Sequence, residues 1–228
     1  MVQAACVRGV LFDLDGTLID SAPDLAGAAN RLRADHGLDP LPLAQLRPMV
    51  GSGARGMVGV AFGVGPGNMR FEPLRDAFLA HYEAGLLERT HPFDGVEAML
   101  SALEAAGLPW GIVTNKATRF TLPIVAGLGL AKRAAVVVCG DTTPQSKPHP
   151  EPLWHAARAM GLAPEDVVYV GDDLRDAQAA KAAGMAMVVA TWGYLGLGEP
   201  AHTWGADVLL DAPGQLPAWL DARRAAGH

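Results

Sequence analysis

The stretch LFDLDGTLID, residues 11 to 20, places two carboxylates directly after an apolar run. Such runs normally end in turn residues, whereas here Asp13 and Asp15 follow and Gly16 comes next. Residues two apart on an extended chain point to the same side, so both carboxylates can address one site, and the glycine lets the backbone turn beside a bound group. A solvated acidic turn is the alternative, and further acidic residues must decide between the two.

A second acidic group follows another apolar run, in VVYVGDDLRDAQAAKAAGM, where Asp172, Asp173 and Asp176 occur together. Asp173 and Asp176 are also suited to the N-terminal turn of a helix, where acidic side chains complement the helix dipole. If both acidic groups meet at neighbouring strand ends, their carboxylates repel each other unless a hard divalent cation neutralises them. The sequence therefore predicts a bound Mg²⁺.

Two polar features complete a possible phosphate site. Thr114 and Asn115 follow a second predicted strand and offer a hydroxyl and an amide, and Lys147 lies in QSKPHPEP after a third. Each feature is ordinary alone, because a lysine in a proline-rich loop is usually solvated. Their value is that they fall at successive strand ends.

The elements that must position these residues alternate along the chain. Short apolar runs predict strands, and runs with helical spacing that stop at Gly107 and Gly161 lie between them. This βαβ repetition indicates an α/β fold with a Rossmann-like parallel sheet, in which ligands gather beyond the carboxyl ends of the strands. The predicted strands are Val7 to Phe12, Pro109 to Val113, Ala135 to Cys139, Val167 to Val170, Met185 to Ala190 and, more weakly, Asp207 to Leu210.

The interval between the first and second strands is too long for one crossover helix. It contains amphipathic patterns at 25–32, 57–62 and 74–87, the last of which predicts one or two helices. We therefore predict a helical cap domain over residues 19–91, inserted into an α/β core formed by residues 1–18 and 92–228.

The net charge and composition of the chain limit the kinds of ligand and surface that it can bind. The formal charge is -6, and the sequence pI is about 5.6, so no global field attracts nucleic acid or an anionic membrane surface. No apolar run reaches the length of a membrane span. Cys6 and Cys139 form no disulfide framework, which favours a reducing compartment. We expect a cytoplasmic protein, a monomer or homodimer, that acts on a small phosphorylated metabolite.

The ordered set DLDGT, TN, Lys147 and GDD with a further aspartate resembles the haloacid dehalogenase superfamily of phosphohydrolases across nearly the whole chain. The resemblance implies that Asp13 is the nucleophile that forms an aspartyl-phosphate and that Asp15 is the general acid and base. An aspartate at position 15 favours phosphoryl transfer over dehalogenation, because the dehalogenases of this superfamily lack that acid.

The resemblance also implies the ligands. Mg²⁺ would be bound by Asp13, the backbone carbonyl of Asp15, and Asp172. Asp176 would be an outer-shell or occasional ligand, and the role of Asp173 is open because relatives often have serine there. The implied phosphate-binding residues are Thr114, Asn115 and Lys147.

Within the superfamily, LFDLDGTLIDSAPDL and the cap stretch RPMVGSGARGMV resemble the phosphoglycolate phosphatase group. GLPWGIVTNK and the second acidic motif also resemble a related branch that dephosphorylates N-acetylmuramic acid 6-phosphate. The motifs leave both substrates open. A sugar-phosphate mutase and a catalytically silent binding protein on the same fold are further alternatives.

The segment GSGARG, residues 51 to 56, also fits the GxGxxG pattern of dinucleotide-binding proteins, but it follows no clear strand of the sheet. A flexible turn at the start of a cap helix explains its glycines better. Such a helix start can offer backbone N–H groups to an anion, so Gly53 and Arg55 are candidate specificity residues. A calcium loop over 13–24 is rejected, because it has no glycine at its sixth position and no glutamate at its twelfth.

Overall fold

The computed structural model describes residues 7 to 226, and within them the predicted α/β fold is confirmed. Cys6, the residue before the predicted first strand, lies outside the described residues. The described part of the chain contains eight strands, β1 (Gly9–Phe12), β2 (Ile19–Asp20), β3 (His91–Pro92), β4 (Trp110–Val113), β5 (Val137–Val138), β6 (Val167–Gly171), β7 (Ala186–Ala190) and β8 (Val208–Leu210).

Six of these strands form one parallel sheet in the order β5-β4-β1-β6-β7-β8. Each of the six predicted strands is present, although β1, β4, β5, β7 and β8 are one to three residues shorter than predicted and β6 is one residue longer. Because β1 lies between β4 and β6, the loops that follow these three strands leave the sheet side by side. The chain thereby brings both acidic groups and the Thr114 segment to one edge.

Helices surround the sheet and fill the inserted segment. Those after β3 are α5 (Val96–Ala105), α6 (Thr118–Gly127), α7 (Glu151–Ala159), α8 (Leu174–Ala183) and α9 (Leu216–Ala226). Those between β2 and β3 are α1 (Ala22–Asp35), α2 (Leu43–Leu46), α3 (Gly53–Phe62) and α4 (Phe71–Ala84). The pattern at 74–87 thus corresponds to a single helix that ends at Ala84, and residues 85–87 form the turn that follows it.

Apolar side chains alternate between the two faces of the sheet, as the strand period requires. On β1, Val10 and Phe12 pack in one buried cluster and Leu11 packs in the other. On β6, Val168 belongs to the first cluster and Tyr169 to the second. Helices on both faces therefore cover the sheet, which explains why its strands read as continuous apolar runs.

The inserted helices leave and rejoin the rest of the chain through one short antiparallel pair, in which Ile19 pairs with Pro92 and Asp20 with His91. The buried carboxylate of Asp24, in the first turn of α1, accepts hydrogen bonds from the backbone of Arg89 and from both the backbone and the hydroxyl of Thr90. These contacts join the beginning and the end of the segment. Its designation as a separate cap domain over 19–91 stays a prediction.

None of the described helices is long and apolar enough to cross a membrane. Cys139 is buried and is a free thiol.

Candidate active site

Asp13 follows β1 immediately, Thr114 follows β4, and Asp172 follows β6. Because these strands are neighbours in the sheet, the three side chains line one cavity of about 490 Å³, together with Asp15 and Lys147. The structure therefore brings the residues predicted from the separate motifs into one site.

Gly16 is required where the chain turns beside this cavity. Its φ of +88° lies in the region that side-chain-bearing residues avoid, and a Cβ atom there would collide with the carboxylate of Asp172. The carboxylate is fixed on its other sides, since Thr17 Oγ1 donates to Oδ1 at 2.9 Å and the backbone N–H of Tyr194 donates to Oδ2 at 2.8 Å. The DLDGT turn and the loop after β7 thus orient Asp172.

Lys147 supplies a buried cation at the centre of the site. Its Nζ atom lies 2.9 Å from Oδ1 of Asp13 and 2.8 Å from Oδ1 of Asp176. It also donates to the Val113 carbonyl and the Tyr169 hydroxyl, at 2.9 and 2.8 Å. Although burial disfavours the ammonium, the two carboxylates raise the pKa of Lys147 above its ordinary value, so it stays charged.

Asn115 makes two hydrogen bonds that the sequence did not predict. Its amide nitrogen donates to the Lys147 carbonyl at 2.8 Å, and its amide oxygen accepts from the Lys147 N–H at 2.9 Å. The side chain therefore positions the lysine loop. The hydroxyl of buried Thr114 accepts from the Lys116 N–H at 3.1 Å. Both residues line the cavity, and their contact with phosphate stays a prediction.

Three carboxylates converge in this cavity. Asp13, Asp172 and Asp176 each place one oxygen within 4.8 Å of the others. Burial raises the pKa of Asp13 to about 7, and the charge of Lys147 opposes that rise only in part. Burial raises the pKa of Asp172 well above the usual carboxyl range, and repulsion from Asp13 adds to the effect. The protein alone does not compensate the charge of this cluster.

This cluster fits a divalent cation. Four aspartates of the site, Asp13, Asp15, Asp172 and Asp176, face two buried lysines, which leaves two negative charges uncompensated when all are ionised. Clustered carboxylate oxygens are also the donors that Mg²⁺ prefers. The residues present therefore suit the predicted metal.

Asp15 lies in a contact that sequence reasoning missed. Lys116 Nζ donates to both of its carboxylate oxygens, at 2.8 and 2.9 Å, and the Ser21 hydroxyl donates to Oδ1. Burial disfavours the charge of Lys116, but Asp15 raises the pKa of the lysine overall. The position of Lys116 directly after Thr114-Asn115 at a strand end was the available signal.

Asp173 turns away from the three-carboxylate cluster. It caps the N-terminus of α8 and pairs with Arg175 through Nε at 2.8 Å, and Arg175 also donates to the Gly51 carbonyl in the inserted segment. Burial alone would raise the pKa of Asp173, but the bonds and charge of Arg175 lower it overall. In this structure Asp173 orients an arginine that bridges core and insertion.

Arg55 is exposed and is not among the residues that line the cavity, whereas Gly53 is. The inserted segment instead contributes an apolar wall to the cavity. Its side chains are Leu25, Val50, Phe78, Leu79 and Tyr82. The structure thus gives Arg55 no contact in the site.

Comparison with known proteins agrees with this geometry. A sequence profile described as haloacid dehalogenase-like hydrolase matches residues 10–190. The chain is 51% identical over 210 residues to a phosphoglycolate phosphatase of Xanthomonas campestris, covering 92% of this chain and 94% of the relative. It is 44% identical over 216 residues to an N-acetylmuramic acid 6-phosphate phosphatase of Pseudomonas aeruginosa, covering 94% and 95%.

A crystal structure of a predicted phosphoglycolate phosphatase from Haemophilus somnus superimposes with a TM-score of 0.82 at 29% identity, covering 93% of this chain and 97% of that one. The profile match spans most of the chain and includes all of the acidic strand ends. The chain belongs to the haloacid dehalogenase-like hydrolase family.

Proposed function

We propose that this protein is a Mg²⁺-dependent phosphomonoester hydrolase that acts through an aspartyl-phosphate on Asp13. The observation that carries the proposal is the position of Asp13 in the cavity, 2.9 Å from the buried ammonium of Lys147 and beside the carboxylates of Asp172 and Asp176. A carboxylate is nucleophilic at neutral pH without a base, provided that nearby cations reduce its repulsion of a phosphate dianion.

Asp13, Asp172 and the backbone carbonyl of Asp15 would hold Mg²⁺, which when bound neutralises negative charge on the phosphoryl oxygens. Lys147 contributes a second cation from the protein itself. Its contacts with Asp13 and Asp176 keep the nucleophile oriented, and its burial strengthens its attraction to an incoming phosphate. Asp176 acts mainly through Lys147 in this arrangement.

In the first step Asp13 attacks phosphorus, the ester P–O bond breaks, and Asp15 gives its proton to the leaving oxygen. In the second step Asp15 takes a proton from the water that attacks the aspartyl-phosphate, which releases inorganic phosphate and restores Asp13. The contacts from Ser21 and Lys116 fit the ionised Asp15 that takes the proton in the second step, and Asp15 enters the first step in its protonated form. Two carboxylates two residues apart thus have different tasks.

For the substrate we propose phosphoglycolate first, because relatives with that name reach 51% identity. N-acetylmuramic acid 6-phosphate is the alternative, supported by the relative at 44% identity. Other sugar phosphates remain further candidates. In a sugar-phosphate mutase the phosphoryl group would pass from Asp13 to a second substrate hydroxyl, and in a silent binding protein it would not be transferred at all.

Release of inorganic phosphate tests these possibilities. The protein is incubated with Mg²⁺ and a panel that includes phosphoglycolate, N-acetylmuramic acid 6-phosphate and hexose phosphates. A phosphatase releases stoichiometric phosphate, a mutase gives an isomeric phosphate ester, and a binding protein leaves the substrate intact. Loss of phosphate release in Asp13→Asn would assign the activity to this site, whereas retention would refute the nucleophile.

We also propose that the protein works in the cytoplasm. The buried free thiol of Cys139 is compatible with a reducing compartment. Fractionation of cells, with detection of the protein beside cytoplasmic and envelope markers, tests this location.

A further inference from the structure

Two side chains that can donate hydrogen bonds, Lys116 of the core and Tyr82 of the inserted segment, lie close together. The proposed mechanism does not use all of their N–H and O–H groups. Lys116 follows β4 in the core, and Tyr82 lies in the last turn of α4. The Nζ atom of Lys116 is 4.9 Å from the centre of the Tyr82 ring, and both residues line the cavity.

The Tyr82 hydroxyl is the clearest sign of a missing ligand. Tyr82 is only 2% exposed, yet its hydroxyl oxygen has no hydrogen-bond partner among residues 7 to 226. A buried polar group without a partner costs free energy, so such groups in native proteins normally meet a protein atom, water or a ligand. Since Tyr82 lines the cavity, a substrate group that approaches its hydroxyl can become the missing partner.

Lys116 has spare capacity too. Its side chain is 10% exposed, and its ammonium contacts the two oxygens of Asp15. An ammonium carries three N–H donors, and two of them serve Asp15. The third donor is on the side of Tyr82, whose hydroxyl it approaches without completing a hydrogen bond, so it remains for a group placed between Asp15 and Tyr82.

The other cationic side chains that line the cavity either form ion pairs with protein carboxylates or are exposed to solvent. Lys147 contacts Asp13 and Asp176, and Arg175 is held by Asp173 and the Gly51 carbonyl. The Arg119 side chain is 53% exposed. Lys116 is thus the buried cation of this cavity that can give a charge-assisted hydrogen bond to a part of the substrate other than its phosphoryl group.

We propose that Lys116 and Tyr82 bind a carboxylate of the substrate, so that the site selects phosphate esters of small hydroxy acids. The inference rests on the phosphatase function proposed above and deepens it. Lys116 contacts Asp15, the residue that meets the leaving oxygen, so a carboxylate bound by Lys116 lies close to that oxygen. This arrangement fits a carboxylate on the carbon that bears the ester oxygen, and the apolar side chains of Phe78 and Leu79 line the same cavity.

The test uses two substrates that differ at one group. 2-Phosphoglycolate carries the carboxylate, and 2-hydroxyethyl phosphate has a hydroxymethyl group in its place. The kcat/KM of each is measured by phosphate release for the wild type and for Lys116→Met, Tyr82→Phe and the matched control Lys181→Met. Lys181 is exposed on α8 and does not line the cavity.

The wild type should prefer phosphoglycolate, and Lys116→Met should reduce that preference on the order of 10- to 100-fold, as expected for a lost charge-assisted hydrogen bond. Loss of the contact with Asp15 should slow both substrates, so the ratio is the informative quantity. Tyr82→Phe should reduce the ratio about 3- to 10-fold while leaving Asp15 untouched. Lys181→Met should leave the ratio unchanged.

Equal losses on both substrates in Lys116→Met and Tyr82→Phe would overturn the inference while leaving the phosphatase function intact. Tyr82→Phe should fold normally, because it removes only a buried hydroxyl that lacks a partner. If the wild type hydrolyses neither ester, binding of phosphoglycolate to Asp13→Asn, measured by calorimetry, separates the two proposals. Binding weakened at least tenfold by Lys116→Met would support the carboxylate site, and binding unaffected by that change would overturn it.

Discussion

Lys147 holds its ammonium 2.9 Å from Oδ1 of Asp13 at a position that is almost fully buried. A cation and a carboxylate removed from water stabilise each other, so Asp13 without Lys147 would be a buried unpaired charge, whereas Lys147 without the charge of Asp13 keeps Asp176 as its partner. This relationship links the chemistry of the site to the stability of the fold. Mutation can separate the effect on catalysis from the effect on stability, because Asp13 and Lys147 can each be replaced by a neutral residue.

We expect Lys147→Met to lower kcat/KM for every phosphomonoester by on the order of a thousandfold, because the nucleophile loses its cation. The free energy of unfolding at pH 7 should fall by about 3–5 kcal/mol, since Asp13 and Asp176 are left facing each other. Phosphate release and urea denaturation measure the two effects. Lys132→Met, at a solvated lysine remote from the cavity lining, is the control and should change neither.

Asp13→Asn should abolish turnover and stabilise the metal-free protein in a pH-dependent way. The pKa of Asp13 is raised from 3.8 to about 7 in the folded state, so the folded protein binds more protons than the unfolded chain between these values. Stability of the wild type therefore falls as pH rises from about 4 to 7, and the neutral variant escapes this loss. Urea midpoints of the two proteins should agree near pH 4 and favour the variant at pH 7. A variant less stable at pH 7 would contradict the assigned repulsion.

Chelation of divalent cations should abolish phosphate release, and added Mg²⁺ should restore it. Mg²⁺ at about one hundred times its dissociation constant should also stabilise the wild type by about 2.7 kcal/mol, because it binds the folded state. Asp172→Ala should lose both responses, since its carboxylate belongs to the three-carboxylate cluster. Thermal unfolding with and without Mg²⁺ measures the stabilisation. Full activity after exhaustive chelation would rule out the proposed metal dependence.

Asp173→Ser should be milder than Asp172→Ala. Serine can still cap α8, but it cannot hold Arg175 through two carboxylate oxygens, so the bridge from Arg175 to Gly51 should loosen. We expect a loss in kcat/KM of about tenfold or less, with metal binding unchanged. Asp173→Ala also removes the cap and should cost about 1 kcal/mol more in unfolding free energy. A Mg²⁺ affinity lowered as far as in Asp172→Ala would instead make Asp173 a ligand.

Asp24→Ala should destabilise the junction at which the beginning and the end of the inserted segment meet. Asp24 is 1% exposed and accepts three hydrogen bonds from Arg89 and Thr90, which the alanine would leave without partners. We expect a loss of about 3 kcal/mol, measured by urea denaturation. Asp221→Ala, at an exposed carboxylate of α9, is the matched control. Equal stability of the two variants would show that the junction does not depend on this carboxylate.

Local sequence patterns predicted much of this protein. The six sheet strands, the insertion after the first of them, and the acidic and polar strand ends were all visible in the sequence. The reason is that strand and helix periods are local properties, and a parallel sheet sends its carboxyl ends to one edge. The family membership rested on the same ordered motifs and is confirmed.

Only the tertiary structure decided which side chains meet. Asp173 and Asp176 are three residues apart, yet one pairs with Arg175 and the other with Lys147. Arg55 was a candidate from its position at a helix start, but its side of α3 is exposed. These outcomes depend on strand order and on the direction of each side chain, which are set by packing between segments far apart in the chain.

The sequence by itself determined the fold class, the insertion and the acidic residues available for phosphoryl chemistry. It did not determine that Lys116 reaches Asp15, a residue 101 positions away, or that Tyr82 of the insertion faces that lysine. Those contacts exist because β1 and β4 are neighbours in the sheet and Tyr82 of α4 lines the same cavity as the residues that follow these strands. The local pattern supplied the reacting groups, and long-range packing decided which of them touch each other and which face the substrate.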